Sequence, residues 1–198
     1  MPELSRRVQT FTDSVIRRMT RINNMTPGSI NLSQGFPDFD PPQEILDALK
    51  EAAEHGPHQY SITFGAKNFR DALAEMYTKK FAREIDPEKE IVVTCGGTEA
   101  MMAAMMTVCN PGDKVAVFSP FYENYGADAI LSGADPIYVP LVPPDFHYDS
   151  EALERAFQAG AKALILCNPS NPCGKVFTME EMEEIAELAK RYDAFVIT

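Results

Sequence analysis

Apolar positions recur three and four residues apart at Phe69, Ala72, Leu73, Met76 and Tyr77, which predicts a helix over 66–83. Earlier stretches predict helices over 5–21 and 43–54, the second ended by the breaker cluster His55-Gly56-Pro57. Between those two helices lies a turn-rich segment, Asn31-Leu32-Ser33-Gln34-Gly35-Phe36-Pro37-Asp38-Phe39-Asp40-Pro41-Pro42. From residue 91 the pattern changes to short apolar runs alternating with helical ones. Strands are predicted at 91–95, 115–118, 136–139, 163–167 and 194–198, with helices at 98–108, 122–132, 150–158 and 179–192. This alternation implies βαβ units, hence an α/β fold of three layers in which helices cover both faces of a mostly parallel sheet.

In an open sheet of this kind ligands bind beyond the carboxyl ends of the strands, so the residues that follow each strand are the place to look for chemistry. Cys95-Gly96-Gly97-Thr98-Glu99-Ala100 opens a helix. Its glycines allow close backbone approach, and its free N–H groups and the Thr98 hydroxyl suit an anion such as a phosphate. It matches neither the dinucleotide nor the P-loop spacing. Taken alone it reads better as a tight turn with Thr98 as N-cap.

Ser119-Pro120-Phe121-Tyr122-Glu123-Asn124-Tyr125 puts aromatics at a strand end, where one can lie on a planar ring or all can be ordinary core and rim residues. In Asn168-Pro169-Ser170-Asn171-Pro172-Cys173-Gly174 the prolines stiffen the loop, so that an asparagine amide is held in a fixed place.

Other patterns carry less. His55 and His58 have metal-like spacing but sit in a Gly-Pro turn, and read as a surface pair, so no metal site is expected. His147 has no evident nucleophile partner. The acidic run Glu180-Glu181-x-Glu183-Glu184 reads as the solvated face of a helix whose front acids complement its dipole.

Composition narrows the function classes. The 198 residues carry 18 basic and 29 acidic side chains, a formal net charge of −11, and 45% are hydrophobic. That is enough to bury a core of one domain, or one and part of another. The acidic balance argues against a nucleic-acid partner. No apolar run approaches the roughly 18 residues that a membrane helix needs. The basic start (Arg6, Arg7, Arg17, Arg18, Arg21) lacks the apolar stretch of a secretion signal, so a cytoplasmic location without a membrane partner is expected. Cys95, Cys109, Cys167 and Cys173 lie within or beside apolar patterns and read as reduced and structural. The closing run Ala194-Phe195-Val196-Ile197-Thr198 has the character of a strand buried on both faces, which either completes a sheet or belongs to a domain that continues past Thr198.

Taken in order, these segments resemble the pyridoxal-phosphate-dependent aminotransferases of fold type I, class I/II. The resemblance runs from the Asn31–Phe39 stretch through His58-Gln59-Tyr60, Gly96-Gly97-Thr98-Glu99-Ala100, Asn110-Pro111-Gly112-Asp113 and Ser119-Pro120-Phe121-Tyr122 to Asn168-Pro169-Ser170-Asn171-Pro172-Cys173-Gly174. It implies that Gly97, Thr98 and Glu99 contact the phosphate of pyridoxal phosphate, that Tyr122 stacks on its ring, and that Asn171 bonds its phenolic oxygen and stabilises the ionised form. It further implies that Gly35 lies against the substrate carboxylate and that Tyr60 reaches the phosphate of a neighbouring subunit, hence a homodimer with shared active sites. Cys173 stands where the family more often has threonine.

The implied activity is transfer of an amino group from an amino acid to a 2-oxo acid. A β-lyase of the same fold and a non-catalytic binding or scaffold module are the alternatives. No catalytic residue is assigned, because none of the nine lysines (50, 67, 79, 80, 89, 114, 162, 175, 190) stands in the family's Ser-x-x-Lys setting for the Schiff-base lysine. The chain is accordingly expected to be an N-terminal portion, inactive alone. Residues 1–48 would form an arm and the start of the small domain, and 49–198 the first, incomplete part of the large cofactor-binding domain. The residues do not name the amino donor.

Overall fold

The segment 114–119 is a strand because both of its faces find an apolar layer. In the computed structural model, which describes residues 2–10 and 14–198, β1 (Lys114–Ser119) buries Val115, Ala116, Val117 and Phe118 to within 5% exposure. Full burial of such side chains contributes about 1.5–3 kcal/mol each for the larger ones. β2 (Asp135–Val142) and β4 (Ala161–Ile165) flank β1 in parallel, so that Val115 stands opposite Pro136 on one side and Ala163 on the other. β5 (Phe195–Ile197) adds in parallel to β4, and the two-residue β3 (His147–Tyr148) pairs antiparallel with β2. The order β3-β2-β1-β4-β5 makes a mixed, mostly parallel five-stranded sheet.

Period-two alternation divides the core. Ala116, Phe118 and Leu164 point into a layer closed by α6 (Ser150–Gln158) and α7 (Met179–Arg191) through Leu153, Phe157, Ile185 and Leu188. Val115, Val117, Ala163 and Ile165 point the other way, against Met105 of α4 (Gly96–Val108) and Ala129 of α5 (Asn124–Ser132). The predicted three-layer α/β architecture is thus present. The turn after α4 is fixed by Asp113, whose carboxylate accepts from the Asn110 N–H at 2.7 Å and from Lys162 at 3.0 Å. Those bonds, the backbone one foremost, hold Asp113 below the usual carboxylate range.

Two compact units divide the chain: Met1–Ser14 with Gly96–Thr198, which holds the sheet, and Val15–Cys95. The second contains α1 (Val15–Asn24), α2 (Gln43–His55) and α3 (Lys67–Phe81). Its few buried groups centre on Arg70, 1% exposed, whose guanidinium donates to the carbonyls of Gly65 (3.1 Å) and Pro87 and to Glu88 (3.2 Å). Gly65 is required there: its φ is +103°, and a Cβ would lie 2.5 Å from Val93 Cγ2.

Three expectations are corrected. The apolar run 91–95 is not a strand: it has no ladder partner among the described residues, and a strand needs one to satisfy its backbone. The Val93 N–H bonds to Phe64 O at 3.0 Å, a loop contact and not a ladder. The helix predicted over 5–21 is a 3-10 turn (Arg6–Gln9) followed by α1, and its residues 11–13 lie outside the described residues. The antiparallel β3 was absent from the predicted strands, two residues being too few to show a period.

Candidate functional site

α4 runs antiparallel to β1, which follows it after a short turn, so its amino end lies at the carboxyl end of the sheet. The helix begins at Gly96, two residues before the predicted start, and Gly96 has φ +80°. Thr98 is therefore inside the first turn rather than its N-cap. Gly97, Thr98 and Glu99 are exposed there, and a Cβ built on Gly96 or Gly97 meets nothing within 4 Å, so there is space beside both glycines. The amino end of a helix, where its dipole is positive, attracts an anion.

Asn124, the first residue of α5, donates from its side-chain amide to Thr98 Oγ1 at 3.0 Å. This contact joins the start of α4 to the turn after β1, and sequence reasoning missed it. The aromatics of that turn separate by role. Phe121 stacks on Tyr138 with centroids 5.0 Å apart and planes 4° apart, and so belongs to the core. Tyr122 is half-buried and meets Tyr125 edge-on at 5.7 Å and 77°, a contact that orients its ring without stacking it.

The third element follows β4. Asn171 is exposed in a loop whose backbone closes on itself: Ser170 N–H donates to Lys175 O (2.8 Å) and Gly174 N–H to Ser170 O (2.7 Å). Asn168 accepts from Phe177 N–H at 3.2 Å and thereby ties the loop to the core. Asn171 shares a small recess with Pro120, Phe121 and Tyr125, which places it at the same sheet end as the β1 turn. A larger cleft of about 430 Å³ adjoins it, lined among others by Met101, Tyr125, Cys167, Asn168 and Thr198. Burial first, and then the facing Cys167 thiol, push the Tyr125 phenol above its ordinary range, so it stays protonated. Cys173 is half-buried against the core, and none of the four cysteines is joined in a disulfide.

The structure therefore brings Gly97, Thr98, Glu99, Tyr122 and Asn171 to one end of one sheet. Gly35 and Tyr60 lie in the other unit, where Tyr60 is 97% exposed and a Cβ on Gly35 would meet nothing. In the acidic run on α7, Glu180 and Glu183 are exposed as expected, while Glu181 and Glu184 are half-buried with partners. Glu181 closes a capping box with Thr178 and pairs with Lys175, and Glu184 accepts from the Tyr148 hydroxyl at 2.7 Å. His58 Nε2 lies 2.8 Å from Ala53 O, a local bond at the end of α2. His147 Nδ1 lies 2.8 Å from the Asp145 carboxylate at the surface. Among the described residues no helix is long and apolar enough to cross a membrane.

An anion cradle, an aromatic and a rigid amide at one sheet end are a donor set for a planar, phosphorylated ligand. Comparison with known proteins agrees in kind. Residues 27–198 match the family model for aminotransferase class I and II. A probable N-succinyldiaminopimelate aminotransferase of Mycobacterium tuberculosis is 37% identical over 97% of this chain and 49% of its own length. Kynurenine–oxoglutarate transaminase 3 of Rattus norvegicus is 33% identical over 98% of the chain and 45% of its own length. Among solved structures, the Mycobacterium tuberculosis N-succinyldiaminopimelate aminotransferase superposes with a TM-score of 0.91 at 36% identity, covering 99% of this chain and 51% of that one. Aspartate aminotransferase of Thermus thermophilus with maleate gives 0.89 at 31% identity, over 99% and 52%. The chain thus spans about half the length of the relatives it matches.

Proposed function

The chain belongs to the class I and II aminotransferases, a pyridoxal-phosphate-dependent family, and from that premise we propose that the whole protein moves an amino group from an amino acid to a 2-oxo acid. The observation that carries the reading is the convergence of the α4 start, the β1–α5 turn and the post-β4 loop at one sheet end. The residues present fit the cofactor: there is space for a ligand group beside Gly96 and Gly97, and Asn171 lines a recess at the same sheet end as the β1 turn. When bound, pyridoxal phosphate supplies the electron sink for negative charge at the α-carbon of the amino acid.

The chain's own residues hold and orient. Gly97 and Thr98 bind the phosphate through N–H groups and the Thr98 hydroxyl, with Glu99 beside them in the same turn. Tyr122 fixes the plane of the ring by stacking. Asn171 donates to the phenolic oxygen and favours its ionised form, because an N–H donor stabilises the charged acceptor over the neutral one. Gly35 presents backbone to the substrate carboxylate. Tyr60 serves the neighbouring subunit of a cytoplasmic homodimer with shared active sites, which accords with its full exposure here.

Residues 1–48 belong in this reading to an arm and the small domain, and 49–198 to the large domain. The proton-transferring lysine is assigned to the remainder of a protein of the relatives' full length, since none of the nine lysines here has a serine three positions before it. The 198-residue chain alone is accordingly inactive, and stoichiometric pyridoxal phosphate followed by borohydride fixes no specific internal imine on any one of its lysines.

A donor screen on the whole protein with 2-oxoglutarate as acceptor tests the assignment. Glutamate formed in step with donor consumption is expected. Pyruvate and ammonia released from a cysteine conjugate without any acceptor would identify a β-lyase instead, and absence of both reactions would leave the scaffold alternative.

A further inference from the structure

We infer that Asn124 is a positioning residue for the anion end of the site, acting through the hydroxyl of Thr98; this rests on the phosphate reading of the α4 start given above. A threonine hydroxyl has one proton to give and lone pairs to receive. The Asn124 amide has only N–H to offer from Nδ2, and it occupies one of those lone pairs at 3.0 Å. The Thr98 proton is thereby turned away from Asn124 and is left to be donated elsewhere. The space beside Gly96 and Gly97 is where an anion would receive it. Without the amide the hydroxyl rotor is free, and an exposed threonine loses its preferred direction.

The placement of Asn124 is itself fixed. It opens α5 directly after Glu123, whose carboxylate accepts from the Ser14 hydroxyl, and Tyr125 N–H bonds back to Tyr122 O at 3.0 Å. The turn that carries the ring-stacking Tyr122 is therefore tied, two residues later, to the hydroxyl that serves the phosphate. One short segment sets both ends of a single ligand, and a shift at Asn124 moves the anion contact without touching the anion.

Nothing in the local pattern announces the pair, because Thr98 and Asn124 stand 26 residues apart and on different helices. As a helix-start residue Asn124 would be accounted for by propensity alone. The distinction between that structural role and a positioning role is measurable, since only the second discriminates between ligands with and without a phosphate.

The test uses the whole apoprotein and two probes, pyridoxal 5′-phosphate and pyridoxal, with affinity read by fluorescence quenching and the bound phosphate by its phosphorus-31 resonance. Asn124→Ala is expected to weaken the phosphorylated probe about three- to tenfold, the range of one net hydrogen bond, with pyridoxal unchanged and the phosphorus resonance moved toward its free value. Asn124→Ser, whose hydroxyl stops about one bond short of Thr98, serves as a second variant should the alanine protein fold poorly, and is expected to show the same selective loss. In a Thr98→Val background neither change should weaken binding further. Equal loss for both probes, or losses at Asn124 and Thr98 that simply multiply, would overturn the positioning role while leaving the phosphate reading intact. A wild-type protein that binds pyridoxal as tightly as pyridoxal 5′-phosphate would overturn the phosphate reading, and the inference with it.

Discussion

The ammonium of Lys175 lies 2.8 Å from the carboxylate of Glu181, with 7% and 21% of the two side chains exposed. Glu181 at the same time accepts from the Thr178 N–H at 2.8 Å in the capping box of α7, and Lys175 lies over the Phe177 ring at 5.1 Å. Since Lys175 also receives the Ser170 N–H on its carbonyl, the pair connects the amino end of α7 to the loop that presents Asn171. Two charges this far from water are tolerable only while each satisfies the other.

Removing one member leaves the other uncompensated. Lys175→Ala is expected to lower stability by about 2–4 kcal/mol in urea denaturation, with Lys175→Met losing less because its chain still covers Phe177. A change under about 0.5 kcal/mol for the alanine variant would mean that the pair is as weak as a surface one.

Asp128 gives the fold a pH dependence. It is 4% exposed on α5, its Oδ2 has no hydrogen-bond partner among the described residues, and burial raises its pKa from 3.8 to about 6. Below pH about 4 the carboxyl is neutral in both folded and unfolded chains. As the pH rises toward 6 the unfolded chain ionises while the folded one keeps its proton, and the stability from this group is lost through that window. The Asp128→Asn protein should lose about 2–3 kcal/mol less than wild type between pH 4 and pH 7.5, which isothermal urea titrations at both pH values would read. Parallel pH profiles for the two proteins would remove Asp128 as the cause.

Gly65 tests the second unit. An alanine there would carry a φ of +103° and set its Cβ against Val93, which costs more than about 2 kcal/mol for strain and overlap together. Val93→Ala in the same chain should relieve only the Cγ2 part of the overlap, since the Cβ of residue 93 still lies 2.6 Å away, and should leave the backbone strain in place. Full recovery in thermal unfolding would show that the positive φ contributes nothing.

Tyr122 tests the ring end of the proposed site. Tyr122→Ala should weaken pyridoxal 5′-phosphate binding to the whole protein about three- to tenfold, with Tyr122→Phe nearly unchanged, if stacking is its contribution. A phenylalanine variant as weak as the alanine one would point to the hydroxyl instead.

How far the sequence revealed these features depended on whether the signal was local. Val115 to Phe118 read correctly as a strand because both of its faces are buried by residues of the same type. The equally apolar 91–95 did not form one, since composition carries no information on whether a neighbour stands beside it. Thr98 was placed correctly near the helix start yet in the wrong cap position, because the positive φ of Gly96 starts the helix earlier than side-chain chemistry suggests. Phe121 and Tyr122 could be told apart only through Tyr138, a strand away. Glu181 and Glu184 looked solvated because their partners Lys175 and Tyr148 lie outside the helix pattern.

One end of this sheet, through Thr98, Tyr122 and Asn171, is proposed to hold pyridoxal phosphate for amino-group transfer. A crystal structure of the whole protein grown with pyridoxal 5′-phosphate tests it most directly. The phosphate is expected at the amino end of α4 within hydrogen-bond reach of Thr98, the ring against Tyr122, and the phenolic oxygen at the Asn171 amide. Cofactor bound elsewhere, or a sheet end that stays empty at saturating cofactor, would contradict it.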